Sequence, residues 1–121
     1  MTRDFRELKV WQKAHDLTSR VYKATSKFPR EEVYGLTSQI RRAGVSIPAN
    51  IAEGCGRSTD AQLAQFLEIA MGSASELEYL LLLSHDLTFL SRSDWESLSE
   101  SVTEIKRMLS AFWQRLKADR C

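Results

Sequence analysis

The apolar positions along this chain repeat at helical spacing in four separate stretches. Steps of three and four residues alternate within each stretch, and this alternation is typical of one face of an α-helix. Only two prolines and five glycines interrupt the 121 residues, and that scarcity favours long helices over strands and turns. The pattern therefore predicts a single all-α domain that covers residues 1–121.

The first helix is predicted to run from Phe5 to Lys27, with Asp4 and Glu7 forming a capping box at its start. It carries two adjacent apolar stripes, which together cover roughly 200° of its surface, about twice an ordinary stripe. Such a helix needs neighbours on two sides. We expect one neighbour to be its own bundle and the other to be a second subunit. The residues expected at that subunit contact are Val10, Leu17 and Val21.

The second helix is predicted from Leu36 to Cys55, where the glycines on either side of Cys55 favour a left-handed cap. Pro48 lies in its middle. An interior proline removes one backbone hydrogen bond and clashes with the carbonyl four residues back, at a cost of about 3 kcal/mol. That carbonyl belongs to Gly44, whose missing side chain favours a kink. The alternative is a break at residues 46–47, with Pro48 in the first turn of a new helix.

Two further capping boxes mark the starts of the third and fourth helices. Thr59 with Gln62 precedes the third, and Ser93 with Glu96 precedes the fourth. Three short connections between four helices imply an antiparallel up-down four-helix bundle. Because apolar surface is in surplus, we also expect this bundle to assemble into a homo-oligomer.

Two more features indicate contacts with other subunits. From Tyr79 to Leu83 the third helix is apolar nearly all round, so this stretch is expected to be buried on several sides, with Tyr79 and Leu82 against another copy. On the second helix, polar residues recur every three or four positions around Asn50 and share one face. Ordinary solvent exposure explains that face as readily as a subunit interface or a ligand surface. The polar residues are Gln39, Arg42, Ser46, Asn50, Glu53 and Arg57.

Charge is unevenly distributed, although the formal net charge is only +1. Residues 1–57 contain eleven Lys and Arg against six Asp and Glu, and residues 58–121 contain six against ten. This asymmetry predicts either a basic surface on one helical hairpin or, once the halves interleave, a neutral mosaic. Binding to phosphates of RNA or DNA needs several cations on one surface, and the alternative is a set of solvated side chains. The candidate residues are Lys13, Arg20, Lys27, Arg41, Arg42 and Arg57.

Little in the sequence points to catalysis, a metal or a membrane. Neither His15 nor His85 has the glutamate three residues earlier that a di-iron bundle uses, so His15 is expected to pack on the apolar face. Cys55 has no evident base to activate it, and both cysteines are expected to be reduced in the cytoplasm. The longest apolar run, residues 80–83, is too short to span a bilayer. We therefore expect no enzyme activity, cofactor or metal.

Four segments of the chain carry a recognisable pattern. Residues 5–14 read FRELKVWQKA, residues 34–43 read YGLTSQIRRA, and residues 45–54 read VSIPANIAEG. Residues 66–77 contain FLEIA followed by GS and EL. Together these segments resemble the four-helix-bundle family encoded by intervening sequences in bacterial 23S ribosomal RNA genes. The sequence departs from that family's usual pattern at Gly44, where alanine is common, and at residues 58–62, which lack a frequent lysine.

That resemblance implies a bundle assembling into a homopentamer, with no established activity. The family is similar in fold to the accessory variability protein of diversity-generating retroelements, which binds nucleic acid and partners a reverse transcriptase. By this analogy, the resemblance implies RNA or DNA, and a nucleic-acid-processing protein, as partners. We therefore expect a non-enzymatic, homo-oligomeric bacterial accessory protein that binds nucleic acid. The alternative is a structural assembly or protein-docking scaffold without nucleic-acid binding.

Overall fold

The computed structural model describes residues 3–118, which fold into four α-helices with no strand among them. This confirms the predicted all-α class. Two short 3-10 turns, Phe5–Glu7 and Arg30–Glu32, precede the first and second helices. The helices are α1 (Lys9–Thr25), α2 (Leu36–Cys55), α3 (Asp60–Asp86) and α4 (Arg92–Ala118).

The helices surround one apolar core. Each of α1 and α3 packs against both α2 and α4, so every helix has two neighbours within the chain. Burying one large aliphatic side chain contributes about 1.5–3 kcal/mol, and all four helices supply such side chains. The largest fully buried ones are Leu17, Val21, Ile40, Ile47, Ile51, Leu67, Leu77, Leu81, Val102, Ile105, Leu109 and Leu116.

The start of the chain differs from the predicted single helix. The Asp4 carboxylate accepts a hydrogen bond from the Arg6 backbone N–H at 3.0 Å, so it caps the first 3-10 turn and forms no capping box with Glu7. Leu8 is extended and separates that turn from α1. The predicted bounds of the first helix are therefore wrong at both ends, since α1 ends at Thr25.

One of the two other predicted capping boxes is confirmed. Thr59 Oγ1 accepts a hydrogen bond from the Gln62 backbone N–H at 3.1 Å, at the start of α3. The Ser93 cap is wrong, because α4 begins at Arg92. There Ser91 Oγ accepts a hydrogen bond from the Asp94 N–H at 3.1 Å, which is the same three-residue geometry two positions earlier.

Helix α2 has the predicted bounds but not the predicted cap. Its C-cap residue, Gly56, has φ −82° and is right-handed. Gly54 has a packing role instead. A Cβ added at Gly54 would lie 2.8 Å from Leu63 Cδ1 and 2.9 Å from Phe66 Cβ, so this glycine permits the close approach of α2 and α3.

Substituting Gly54 tests this close approach. We expect Gly54→Ala to lower the free energy of unfolding by about 1–3 kcal/mol, because the new methyl group overpacks the contact with α3. Gly44→Ala is the matched control in the same helix, since its Cβ would meet only Val21 Cγ1 at an ordinary 3.8 Å. The control should gain up to about 1 kcal/mol from helix propensity. Urea unfolding measures both, and equal stabilities would contradict the packing role.

Helix α2 runs through Pro48 without a break, so the proposed break at residues 46–47 is wrong. The proline has no N–H to donate to the carbonyl of Gly44. That carbonyl instead lies 3.0 Å from Thr18 Oγ1, which also lies 2.9 Å from the carbonyl oxygen of Ala14. Thr18 in α1 thus supplies the hydrogen-bond donor that Pro48 removes from α2.

A double-mutant cycle measures this compensation. Thr18→Val should cost about 1–3 kcal/mol of unfolding free energy, because it leaves the Gly44 carbonyl buried without a donor. Thr18→Ser keeps the hydroxyl and is the control. In a Pro48→Ala background the backbone N–H returns, so the cost of Thr18→Val should shrink. An unchanged cost in that background, measured by urea unfolding, would show that the hydroxyl does not compensate for the proline.

Candidate nucleic-acid interface and subunit surface

Three of the six candidate cations are engaged within the chain. Lys13 Nζ lies 3.2 Å from Glu104 Oε1, which joins α1 to α4. Arg57 Nη2 lies 2.8 Å from Glu53 Oε2. These two pairs are largely exposed, so each stabilises the fold by about 0–1 kcal/mol. Each carboxylate also partly neutralises its cation, which weakens the attraction of that cation for a phosphate.

Arg20 is the third engaged cation, and it fastens α1 to α4. Its Nη1 donates to Ser101 Oγ at 2.7 Å and its Nη2 to Ser97 Oγ at 2.8 Å. Asp16 Oδ2 lies 3.6 Å from the same guanidinium. Two open clefts, of about 460 and 440 Å³, lie between α1 and α4 on this side of the molecule. Asp94 lines the first cleft, and Asp16 and Glu104 line the second.

The other three candidates, Lys27, Arg41 and Arg42, have no carboxylate within 4.0 Å among the described residues. They lie at the end of the molecule where α1 stops and α2 begins, which we call the hairpin end (residues 22–45). The hairpin end contains five Lys and Arg against two Glu. The structure therefore separates three candidates that pair with other groups of the chain from three at the hairpin end that have no carboxylate partner among the described residues.

Arg41 is held in place by neutral groups. Its Nε donates to Thr25 Oγ1 at 2.9 Å, and its Nη2 donates to the Tyr22 carbonyl at 3.3 Å. The guanidinium carbon stacks 4.6 Å from the centroid of the Tyr22 ring. Because hydroxyl and carbonyl partners leave its charge intact, Arg41 is a positioned cation.

An open cleft of about 600 Å³, which we call the hairpin cleft, borders Arg41 and Arg42. None of the described residues that line it is acidic. Tyr34, which is 94% exposed, was not among the sequence-predicted site residues. It lies outside every helix and so carries no periodic signal. The lining residues are Tyr22, Val33, Tyr34, Thr37, Ser38, Arg41, Arg42, Val45 and Ser46.

The structure corrects half of the predicted subunit interface. Val10, Leu17 and Val21 are buried in the chain's own core, so a second subunit has no access to their side chains. The reason is that α1 already has two neighbours, α2 and α4, inside its own bundle. Periodicity revealed the width of the apolar arc but not which helix covers it.

Asn50 is half-buried, and its partners belong to the same chain. Its Nδ2 donates to the Ser46 carbonyl at 2.7 Å and lies 2.9 Å from Ser46 Oγ. Ser46 Oγ in turn lies 2.7 Å from Ser73 Oγ on α3. This part of the polar face therefore fastens α2 to α3.

Several large apolar side chains of α3 are exposed. Tyr79 is 59% exposed and Ile69 is 50% exposed, and together with Leu82 they form what we call the outer face. Gly72 belongs to it too, since its position falls between Ile69 and Tyr79 at helical spacing. A Cβ added at Gly72 would meet nothing within 4 Å. Sequence reasoning missed Ile69, whose signal is an apolar residue outside the core stripe of α3.

The histidines and Cys55 have structural surroundings. His15 is exposed and stacks on Trp11 with ring centroids 4.8 Å apart, so the expectation that it packs on the apolar face is wrong. His85 stacks on Trp95 at 4.7 Å, and its Nδ1 lies 3.3 Å from the Leu90 carbonyl oxygen. Cys55 is a buried free thiol whose pKa is raised by burial.

No group of three or more His, Cys, Asp or Glu among residues 3–118 is placed to hold a metal ion. No helix within those residues is long and apolar enough to cross a membrane.

Comparison with known proteins identifies a family and solved structures similar to this chain. The family model described as 23S rRNA-intervening sequence protein matches residues 6–111. The chain is also similar to a crystal structure of a protein of unknown function from the S23 ribosomal protein family of Bacteroides thetaiotaomicron. The two share 30% identity with a TM-score of 0.78, over 86% of this chain and 97% of that one. No curated protein matches the chain.

Proposed function

We propose that this chain, which belongs to the 23S rRNA-intervening sequence protein family, is a non-enzymatic homo-oligomeric accessory protein that binds RNA or DNA. The observation that carries the proposal is that Arg41 and Arg42 line one cleft at the hairpin end without a carboxylate partner among the described residues. Lys27 follows the end of α1 and lines the cleft between α1 and α4. Buried Cys55 remains a free thiol, which suits a reducing cytoplasm.

The unit that assembles is, in this proposal, an antiparallel up-down bundle. The antiparallel arrangement is supported by contacts between neighbouring helices. As residue numbers rise along one helix, the residues that they contact have falling numbers on its neighbour. Short connections between the helices are consistent with that arrangement. The contacting pairs are Thr18–Gly44 and Thr25–Arg41 between α1 and α2, and Glu78–Lys106 and His85–Trp95 between α3 and α4.

The outer face is the proposed contact between copies. Exposed apolar side chains are typical of protein–protein contacts when they share one surface, and α3 exposes Ile69, Tyr79 and Leu82. Glycine inside a helix costs about 1 kcal/mol relative to alanine, and no neighbour in the chain restricts the space at Gly72. A close approach by another copy accounts for that glycine.

Charges placed on the outer face test the assembly. The wild type should have five times the chain mass of 13.8 kDa by light scattering, and Ile69→Glu with Tyr79→Glu should have the mass of one chain. Both side chains are exposed, so circular dichroism should stay helical. Ala111→Glu, at an exposed position of α4, is the matched control and should keep the assembled mass. A monomeric wild type, or an assembly unaffected by the double variant, would refute this interface.

Repetition strengthens the case for nucleic-acid binding. A single chain with net charge +1 presents few phosphate contacts, whereas a ring repeats its hairpin end in every copy and gains avidity. Each contact between a cation and a phosphate releases counterions, so the affinity for nucleic acid must fall as the salt concentration rises.

Neutralising two cations tests the binding. Lys27→Gln with Arg42→Gln should weaken binding of labelled single-stranded RNA and reduce the slope of log K against log salt by about 1.4 for each copy that contacts the strand, since each phosphate contact contributes roughly 0.7 on a single strand. Arg107→Gln with Arg115→Gln, two exposed cations of α4, is the control with the same charge change. Fluorescence anisotropy across a salt series measures both. Absent or salt-insensitive binding by the wild type would refute the proposal.

The second candidate is a scaffold that docks proteins without binding nucleic acid. It is favoured by the engagement of Lys13, Arg20 and Arg57 within the chain, which leaves fewer free cations than the sequence indicates. An assembled protein with no affinity for either RNA or DNA would support it. A nucleic-acid-processing protein is the expected partner in the first proposal, and a docked protein of another kind in the second.

A further inference from the structure

The hairpin cleft combines an exposed aromatic ring with apolar surface. Tyr34 is 94% exposed, and Tyr22, Val33 and Val45, each about half exposed, line the same cleft. Isolated exposed apolar residues are ordinary on protein surfaces. Four of them around one concave surface are typical of a binding site, and the nearly complete exposure of Tyr34 leaves its ring free for a ligand.

The charge of the cleft selects an anionic ligand. Arg41 is oriented by Thr25 and Tyr22, and Arg42 is an exposed cation beside it. The first turn of α2 adds the positive end of a helix dipole, which is partly offset because Glu32 Oε1 accepts a hydrogen bond from the Leu36 N–H at 3.2 Å. The two arginines still dominate, because none of the described lining residues is acidic.

Aromatic rings beside cations suit unpaired nucleotides better than the alternatives. A base can stack on Tyr34 only if it has left the stack of a duplex, whereas single strands offer free base faces next to their phosphates. A second copy of this chain seated in the cleft would bury the guanidiniums of Arg41 and Arg42. The described residues of the cleft include no acidic one to pair with them, so this burial would cost desolvation energy. A nucleotide supplies both the ring and the anion.

We infer that the hairpin cleft binds an unpaired nucleotide of a single-stranded nucleic acid, with Tyr34 stacking on the base and Arg42 contacting a flanking phosphate. This inference rests on the proposed nucleic-acid binding and adds the site and the strandedness of the ligand. Arg41 stacks on Tyr22 and fixes the basic wall of the cleft.

Substituting Tyr34 separates stacking from charge. Tyr34→Ala should weaken binding of labelled oligouridylate about tenfold or more, because base stacking is lost, while the salt slope stays at the wild-type value. Tyr34→Phe keeps the ring and should bind as the wild type does. Leu87→Ala is the control for loss of an exposed apolar side chain outside both the cleft and the outer face. Arg42→Gln should show the opposite pattern to Tyr34→Ala, a smaller salt slope with stacking retained.

Parallel titrations with an RNA duplex of equal length and with oligothymidylate identify the ligand. Stronger binding of the single strands than of the duplex supports the inference, and the tighter of oligouridylate and oligothymidylate identifies the strand as RNA or DNA. Salt-dependent binding that ignores Tyr34→Ala, or equal affinity for the duplex, overturns the cleft assignment and leaves nucleic-acid binding intact. A changed assembly mass in Tyr34→Ala also overturns it, since the cleft would then be a contact between copies. No binding of any probe by the wild type removes both proposals.

Discussion

The hydrogen bond from Thr18 to the Gly44 carbonyl joins α1 to the middle of α2, at the point where that helix lacks a backbone donor. Pro48 removes the backbone donor in the middle of a helix whose two halves do different things. The first half carries Arg41 and Arg42, and the last turns pack against α3 at Gly54. Because α2 is continuous through Pro48, the basic cleft and the close contact at Gly54 belong to one helix.

The cations of the chain divide between structure and recognition according to their neighbours. Where a serine or a carboxylate of another turn lies within reach, as for Arg20 and Lys13, the charge fastens helices. Where the neighbours are a carbonyl, a hydroxyl and an aromatic ring, as for Arg41, the geometry is fixed and the charge remains available. A count of basic residues cannot make this distinction, since it depends on contacts between residues far apart in sequence.

The sequence predicts what is local and misses what depends on neighbours. The bounds of α2 and the cap at Thr59 follow from glycines, a threonine and apolar spacing, and all of these act within a few residues. Ser91 and Ser93 are both spaced to cap α4, and only the course of the preceding turn selects Ser91. Val21 is misassigned to a subunit contact because periodicity does not reveal which helix covers a stripe. Tyr34, outside any repeat, gives no sequence signal for its exposure.

The α1–α4 side of the bundle is built differently from the α2–α3 side, and this affects its native-state fluctuations. Hydrogen bonds from Arg20 connect α1 to α4, and two open clefts flank these bonds. By contrast, α2 and α3 meet closely enough to exclude a methyl group at Gly54. Water can replace serine hydroxyls at low cost, but it cannot replace close apolar packing. Transient opening should therefore begin between α1 and α4, and amide hydrogens of those helices should exchange with solvent before those of the α2–α3 pair.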